Sequence, residues 1–297
     1  MLKGSDNFRG AALMAASMAF FVINDSLVKL ASDNLGLFQI ILLRGLMASA
    51  LLALVALKRK SIFPILNRSD WKILTFRLIG EVGATLCYLT ALFNIPIANA
   101  TAILAALPLA VTLAAAVFMG EPVGWRRYLA IMVGFAGVLI IVRPGSEGFN
   151  AYSIWALGAV GFVVLRDLST RLLSAHVSSI FVSLLTSIAI TVTGGVMSLF
   201  LVWEPVGAVE IRLLAAAAML MVFAYLTSVM TMRVGEIGFV SPFRYTALLW
   251  AKALGVFIFG DVPDTWTLLG ITIIVLMGIY TLYREKKIKK LDQSVSS

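Results

Sequence analysis

Phe20-Phe21-Val22-Ile23-Asn24-Asp25-Ser26-Leu27-Val28-Lys29 places an amide, a carboxylate and an ammonium inside an apolar run that starts near Gly10. In a helix crossing a bilayer, each charge costs roughly 2.5 to 3.5 kcal/mol at the membrane centre, so it faces protein or a water-filled cavity and marks a functional candidate. Later in the chain Arg166, Asp167 and Arg171 repeat the acid-then-base spacing of four. The recurrence points to a duplicated membrane protein.

Composition agrees. The 297 residues are 61% hydrophobic and 13% charged, which argues against both disorder and a soluble single-core protein. The formal charge of +9 comes from short basic runs beside apolar spans, as juxtamembrane anchors do, so no nucleic-acid partner is expected. Cys87 is the only cysteine and His176 the only histidine, which leaves no intrachain disulfide and no His/Cys metal site. Lys3 and Arg9 precede the first apolar run as in a signal peptide, yet further spans follow, and the first span is expected to stay uncleaved.

Spans of about 20 apolar residues cross the hydrocarbon core, and the chain offers ten. Their expected limits are Gly10 to Ala31, Leu37 to Leu57, Trp71 to Phe93, Ile97 to Met119 and Arg127 to Val142. The second five are Tyr152 to Leu173, Val177 to Val202, Arg212 to Met232, Gly238 to Phe259 and Thr265 to Tyr283. Loops after even-numbered spans hold Lys58, Arg59, Lys60, Arg68, Lys72, Arg126, Arg127, Arg171 and Arg233, and the tail adds Arg284, Lys286, Lys287, Lys289 and Lys290. The opposite loops hold little beyond Arg143 and Arg212. Both termini are therefore expected in the cytoplasm of a cell bounded by this plasma (bacterial inner) membrane.

Met119-Gly120-Glu121-Pro122 followed by Trp125 matches Phe259-Gly260-Asp261-Val262-Pro263 followed by Trp266. Gly120 and Gly260 lie 140 residues apart, Trp125 and Trp266 as well as Gly137 and Gly278 lie 141 apart, and Asp25 and Asp167 lie 142 apart. The reading is an all-α polytopic membrane protein of ten transmembrane helices, built as a first repeat over 1–145 and a second over 146–297 with a basic tail. Five crossings per repeat give the halves opposite orientations, and inverted repeats put a substrate site near the midplane.

Charges concentrate in five spans: Asp25 and Lys29 in the first, Arg44 in the second, Arg77 and Glu81 in the third, Arg166, Asp167 and Arg171 in the sixth, Arg244 and Lys252 in the ninth. Asp25 with Lys29, Arg77 with Glu81 and Asp167 with Arg171 are four apart and share a helix face. Such pairs serve function or merely lower the insertion cost, with Arg77 and Arg171 free to snorkel. Arg44, Arg166, Arg244 and Lys252 have no further acid at helical spacing. A surplus of cations in a dry site calls for an anionic group on the cargo. Tyr88 lies along the stripe from Glu81, and Tyr245 and Trp250 flank Arg244 and Lys252, as cavity walls or as helix-packing residues. Trp71, Trp125 and Trp266 fall at span ends, where tryptophan anchors to the interface. Pro108 and Pro242 mark kinks in the fourth and ninth spans. The fifth and tenth spans carry no charge and suit scaffolding, lipid contact or the seam of a homodimer.

The candidate substrate-binding set is Asn24, Asp25, Lys29, Arg44, Glu81, Tyr88, Arg166, Asp167, Arg244, Tyr245, Trp250 and Lys252. No P-loop, no Gly-x-Ser-x-Gly elbow and no histidine-based zinc pattern occurs in the sequence, so neither an enzyme nor a cofactor is expected. The readings left are a secondary carrier, a channel-like facilitator and an intramembrane enzyme using paired Asp25 and Asp167; the cations beside those acids favour salt bridging over the last.

The stretch from Pro108 to Gly137, with Pro-Leu-Ala-Val, Met-Gly-Glu-Pro-Val-Gly-Trp-Arg-Arg and Gly-Phe-Ala-Gly, resembles the drug/metabolite transporter superfamily and within it the EamA-type ten-helix carriers. The resemblance implies two inverted halves around a central cavity lined mainly by helices one to four and six to nine, with alternating access and no ATP. Bacterial members are often exporters of amino acids, aromatic ones included. Asn24 to Lys29, Arg44 and Phe243-Arg244-Tyr245 are also similar to the S-adenosylmethionine uptake subgroup, while Arg166 beside Asp167, and Lys252, depart from it. The expected cargo is a small zwitterionic metabolite, foremost an amino acid moving outward, with S-adenosylmethionine or a related derivative moving inward as the alternative. Arg44 or Arg244 would meet its carboxylate, and Asp25, Glu81 or Asp167 its ammonium.

Overall fold

The computed structural model describes residues 2–58, 66–120, 123–144, 149–174, 177–234 and 241–295. Arg59, Lys60, Glu121, Pro122, His176 and Gly238 lie outside them, as do the side chains of Lys3, Arg171, Arg233 and the basic residues from Lys286 onward. Within the described residues the chain forms α1 (Leu2–Ala31), α2 (Leu37–Lys58), α3 (Arg68–Asn94), α4 (Ile97–Leu104), α5 (Leu107–Met119), α6 (Trp125–Val142), α7 (Tyr152–Leu172), α8 (Ser179–Ser198) and α9 (Ala208–Val234). A 3₁₀ turn (Ser241–Tyr245), α10 (Thr246–Phe259) and α11 (Thr265–Val295) complete it. Nine spans among the described residues are long and apolar enough to cross a membrane, α4 and α5 together counting as one. Phe118, Leu199, Phe200, Val202 and Phe257 stand 78% to 90% exposed, a surface that water would not tolerate on this scale and hydrocarbon does. This is an all-helical, polytopic membrane protein.

Among the described residues two of the expected spans depart from a continuous α-helix, both beside prolines. Pro108 has no N–H to offer the carbonyl of Leu104, and the chain turns at Ala105 and Ala106 before α5 resumes with proline in its first turn. The ninth span, expected from Gly238, is described from Ser241, where Pro242 sits in the 3₁₀ turn and only the 14 residues of α10 are α-helical. Both interrupted spans end alike: Gly120 and Gly260 adopt φ 67°, and each N–H caps the carbonyl five residues back, Ala115 and Gly255. Left-handed backbone without a Cβ penalty is what glycine supplies here. Other limits shift: α3 begins at Arg68 rather than Trp71, α6 at Trp125 rather than Arg127, and α8 ends at Ser198 rather than Val202.

The chain divides into two compact units that do not follow the sequence halves. The first holds Met1–Ala19, Ile95–Ile154 and Ala224–Ser297. In it α6 lies against α11, where a Cβ on Gly137 would come within 3.0 Å of the Gly270 carbonyl, so two backbones touch without side chains between them. Buried Ile131, Ile141 and Ile274 belong to these two helices. At one end Arg143, itself left-handed with φ 51°, donates to Asp264, which also accepts the Thr267 N–H as the α11 cap. The guanidinium holds the Asp264 carboxyl down at about 2.

The second unit holds Phe20–Asn94 and Trp155–Phe223. There α2 packs on α8 through Gly45 and Gly194, with a hydroxyl cluster of Ser49, Ser187 and Thr191 at 2.8 and 3.2 Å. Gly80 brings α3 onto α7: a Cβ would stand 2.8 Å from the Arg166 amide nitrogen and 2.9 Å from the Phe162 carbonyl. Leu74, Val177 and Val182 form a small apolar core beside them.

Two outcomes test this packing. Gly80→Leu is expected to force α3 off α7 and to lower the melting temperature in detergent, whereas Gly124→Leu, where a Cβ meets nothing, leaves it nearly unchanged. The Asp264 pair contributes at most about 1 kcal/mol at this exposed position. Because its folded pKa is depressed to about 2 from 3.8, that contribution is present above roughly pH 4 and vanishes as pH falls towards 2. The stability gap between wild type and Asp264→Asn, followed by thermal unfolding across this range, should close with acid.

Candidate functional site

Asn24 and Asp25 occupy the sixth turn or so of α1, where the helix backbone satisfies itself and only side chains need partners. The Tyr88 hydroxyl on α3 donates to Asp25 Oδ2 at 2.6 Å, and Asn24 Nδ2 donates to Asp25 Oδ1 at 2.9 Å. Buried Arg44 on α2 is within electrostatic reach of the same carboxylate. Thus a bilayer-depth carboxylate is met by a phenol, an amide and a guanidinium from three helices. Lys29, one turn along α1, is half-buried and makes an interaction of its own.

Asn24 is 2% exposed, and its Oδ1 finds no hydrogen-bond partner among the described residues. Since Nδ2 must face the carboxylate, the oxygen must face the other way. A buried acceptor without a donor costs about 1 to 3 kcal/mol. Beside Asp25 it is an acceptor that no described residue meets with an N–H or O–H group.

A second cluster lies on the same stripe of α3, since Glu81 is seven residues before Tyr88, about 10 Å along the helix. Glu81 is buried and takes Arg77 at 3.5 Å from its own helix and Arg166 at 3.4 Å from α7. Arg166 Nε also holds Asp167 Oδ1 at 2.8 Å. Arg77 spends its other arms on hydroxyls, Thr170 at 3.0 Å on α7 and Thr186 at 2.5 Å on α8. Two acids and two bases therefore balance in one network. Arg166, which has no acid at helical spacing of its own, is paired through space with Glu81, 85 residues away in sequence.

Eight candidates, Asn24, Asp25, Lys29, Arg44, Glu81, Tyr88, Arg166 and Asp167, belong to the second unit. The other four belong to the first: Arg244, Trp250 and Lys252 are exposed on the 3₁₀ turn and α10, while Tyr245 is only 7% exposed and packs on Gly278 of α11. Arg77, with Thr170 and Thr186, is a member of the Glu81 network that the sequence reading left out of the site. The i,i+4 spacing from Glu81 was the signal for Arg77; two threonines in apolar helices gave none.

The sequence model of the EamA-like transporter family matches residues 8–143. Over these residues the chain is similar to that family. A riboflavin transporter of Vibrio cholerae is 26% identical over 287 residues, 96% of either chain. A pseudopaline exporter of Pseudomonas aeruginosa is 29% identical over 300 residues, covering 95% of this chain and 99% of the relative. An S-adenosylmethionine uptake transporter of Rickettsia bellii is 26% identical over 198 residues, 65% of this chain and 66% of the relative. Among solved structures, one described as a crystal structure of a protein shares the fold with a TM-score of 0.60 at 21% identity, covering 92% of this chain and 98% of that one. The chain is a multi-pass bacterial membrane transporter with a small-molecule cargo.

The Glu81 network carries a direct test. Arg77→Met leaves a buried carboxylate short of one cation and is expected to cost roughly 3 to 5 kcal/mol of stability. Adding Glu81→Leu should recover part of that loss, measured by denaturant unfolding in detergent; a double variant weaker than the single one would contradict the pairing.

Proposed function

We propose that this protein is a secondary carrier of small zwitterionic metabolites working by alternating access, foremost an exporter of amino acids from the bacterial cytoplasm. The halves 1–145 and 146–297 act in this reading as inverted repeats, with both termini cytoplasmic. The observation that carries it is the pairing of Asp25 with an orphaned neighbour acceptor, Asn24 Oδ1, beside the guanidinium of Arg44. An α-ammonium supplies N–H donors that suit the Asp25 carboxylate, while a second donor of the cargo would meet Asn24 Oδ1 on its other side. Its α-carboxylate then takes Arg44, so that cargo and site exchange charges in matched pairs. The cargo leaves chemically unchanged.

Supporting the interrupted fourth and ninth spans as moving parts are their equivalent positions in the two halves and their identical left-handed glycine ends. Two matched tryptophans, Trp125 at 70% and Trp266 at 59% exposure, start α6 and α11, as anchors at one interface level of each half would.

A second reading, uptake of S-adenosylmethionine or a related derivative, is favoured by the Rickettsia bellii relative, whose name gives that cargo. S-Adenosylmethionine carries the same α-ammonium and α-carboxylate, and the proposed contacts serve it equally. Its sulfonium and adenine would ask for further acids or aromatic faces.

Uptake into proteoliposomes of labelled amino acids, S-adenosylmethionine and riboflavin, beside Asp25→Asn, decides between them. The expected result is transport of an amino acid, at least about ten-fold slower in the variant, the loss of some 1.4 kcal/mol of recognition. Transport of S-adenosylmethionine alone would install the second reading. Movement of riboflavin alone, indifferent to Asp25→Asn, would overturn both.

A further inference from the structure

Tyr245 ends the 3₁₀ turn at the head of α10 and is 7% exposed, with its ring laid on Gly278 of α11. A Cβ at position 278 would overlap the Tyr245 hydroxyl, so the slot exists only because the residue there is glycine. That hydroxyl is buried and has no hydrogen-bond partner among the described residues. Another glycine slot, in the first half of the chain, carries no such cost. There Leu109 of the interrupted fourth span fills a slot over Gly134 of α6, and it brings no polar atom with it. An aliphatic side chain suffices to fill a glycine slot, so packing alone gives no reason for a hydroxyl in the second.

The surrounding backbone is a 3₁₀ turn rather than an α-helix. A 3₁₀ segment inside a membrane span is held by poorer hydrogen bonds than an α-helix and commonly marks a hinge. Pro242 removes one donor from it, Tyr245 caps α10 without a side-chain bond, and the Thr246 hydroxyl donates to the Phe243 carbonyl at 2.7 Å.

We propose that Tyr245 is a conformational switch: in the present state its hydroxyl is parked without a partner in the Gly278 slot, and reorientation of the Ser241–Tyr245 turn releases it to a hydrogen-bonding environment in the opposite transport state. The parked state is thereby kept from becoming a trap, because the penalty of the buried hydroxyl offsets part of the packing gain. The role of the switch rests on the carrier reading above.

The test needs no cargo. In a Cys87→Ser background, nitroxide labels at the exposed positions Leu249→Cys on α10 and Trp266→Cys on α11 report the α10–α11 distance in lipid nanodiscs by double electron–electron resonance. The expected wild-type distribution holds the parked distance and a second one. Tyr245→Phe keeps the ring and removes the orphan, and should raise the ratio of parked to second population roughly ten-fold. Gly278→Ala closes the slot and should deplete the parked distance. A single distance common to all three proteins, a Tyr245→Phe ratio equal to wild type, or a parked distance that survives Gly278→Ala would each overturn the proposal. None of these outcomes touches the proteoliposome result, so failure of the switch and failure of the carrier reading are read separately.

Discussion

A charge at bilayer depth must be met by protein, and the architecture of the second unit follows from that requirement. Asp25 cannot be satisfied within α1, where backbone groups are already used. It draws a phenol from α3 and the field of a guanidinium from α2, with only the Asn24 amide coming from its own helix. Glu81 makes the same demand one stripe along and ties α3 to α7, while Arg77 extends the tie to α8. The helices are thus sewn together by their polar residues, and the apolar residues that dominate the composition face one another or the lipid with little preference.

Glycine makes those contacts geometrically feasible. The Arg166 side chain reaches Glu81 because Gly80, one residue before it, lets α7 lie directly on the α3 backbone. Gly45 and Gly194 do the same for α2 and α8, whose hydroxyl cluster would otherwise be held apart. In the first unit the Gly137 and Gly270 contact has no polar group at its centre, and the Arg143–Asp264 pair sits at its exposed end instead. The two units therefore use close approach for different ends: buried ion pairing in one, a plain seam in the other.

The spans and the special turns were legible in the sequence because each is local. Gly120 and Gly260 could be matched from their neighbours alone, and both proved to be left-handed helix ends. Pro108 and Pro242 announced the interruptions for the same reason. Partnership across helices was not legible. The second acid of Arg166, Glu81, belongs to another helix and so gave no sign beside Asp167, and Arg77 could be read as a snorkelling side chain because the threonines that hold it carry no signal of their own. Tyr245 read as a cavity wall or a helix-packing residue from its neighbours Arg244 and Lys252, and its position depends on a glycine 33 residues away. Nor does periodicity say which spans will cluster: the compact units mix segments of both halves, and the four candidates of the ninth span fall in a different unit from the other eight.

The two clusters differ in a way that bears on recognition. Around Glu81 the acids and bases are bonded to one another, whereas around Asp25 a buried acceptor is left open next to a carboxylate. The most direct measurement is equilibrium binding of the transported compound to purified Asn24→Leu and Arg166→Gln proteins, each compared with wild type at matched folded fraction. Affinity lost in Asn24→Leu and largely kept in Arg166→Gln is the result this account requires. Affinity untouched by Asn24→Leu and abolished in Arg166→Gln would move recognition to the Glu81 network and contradict it.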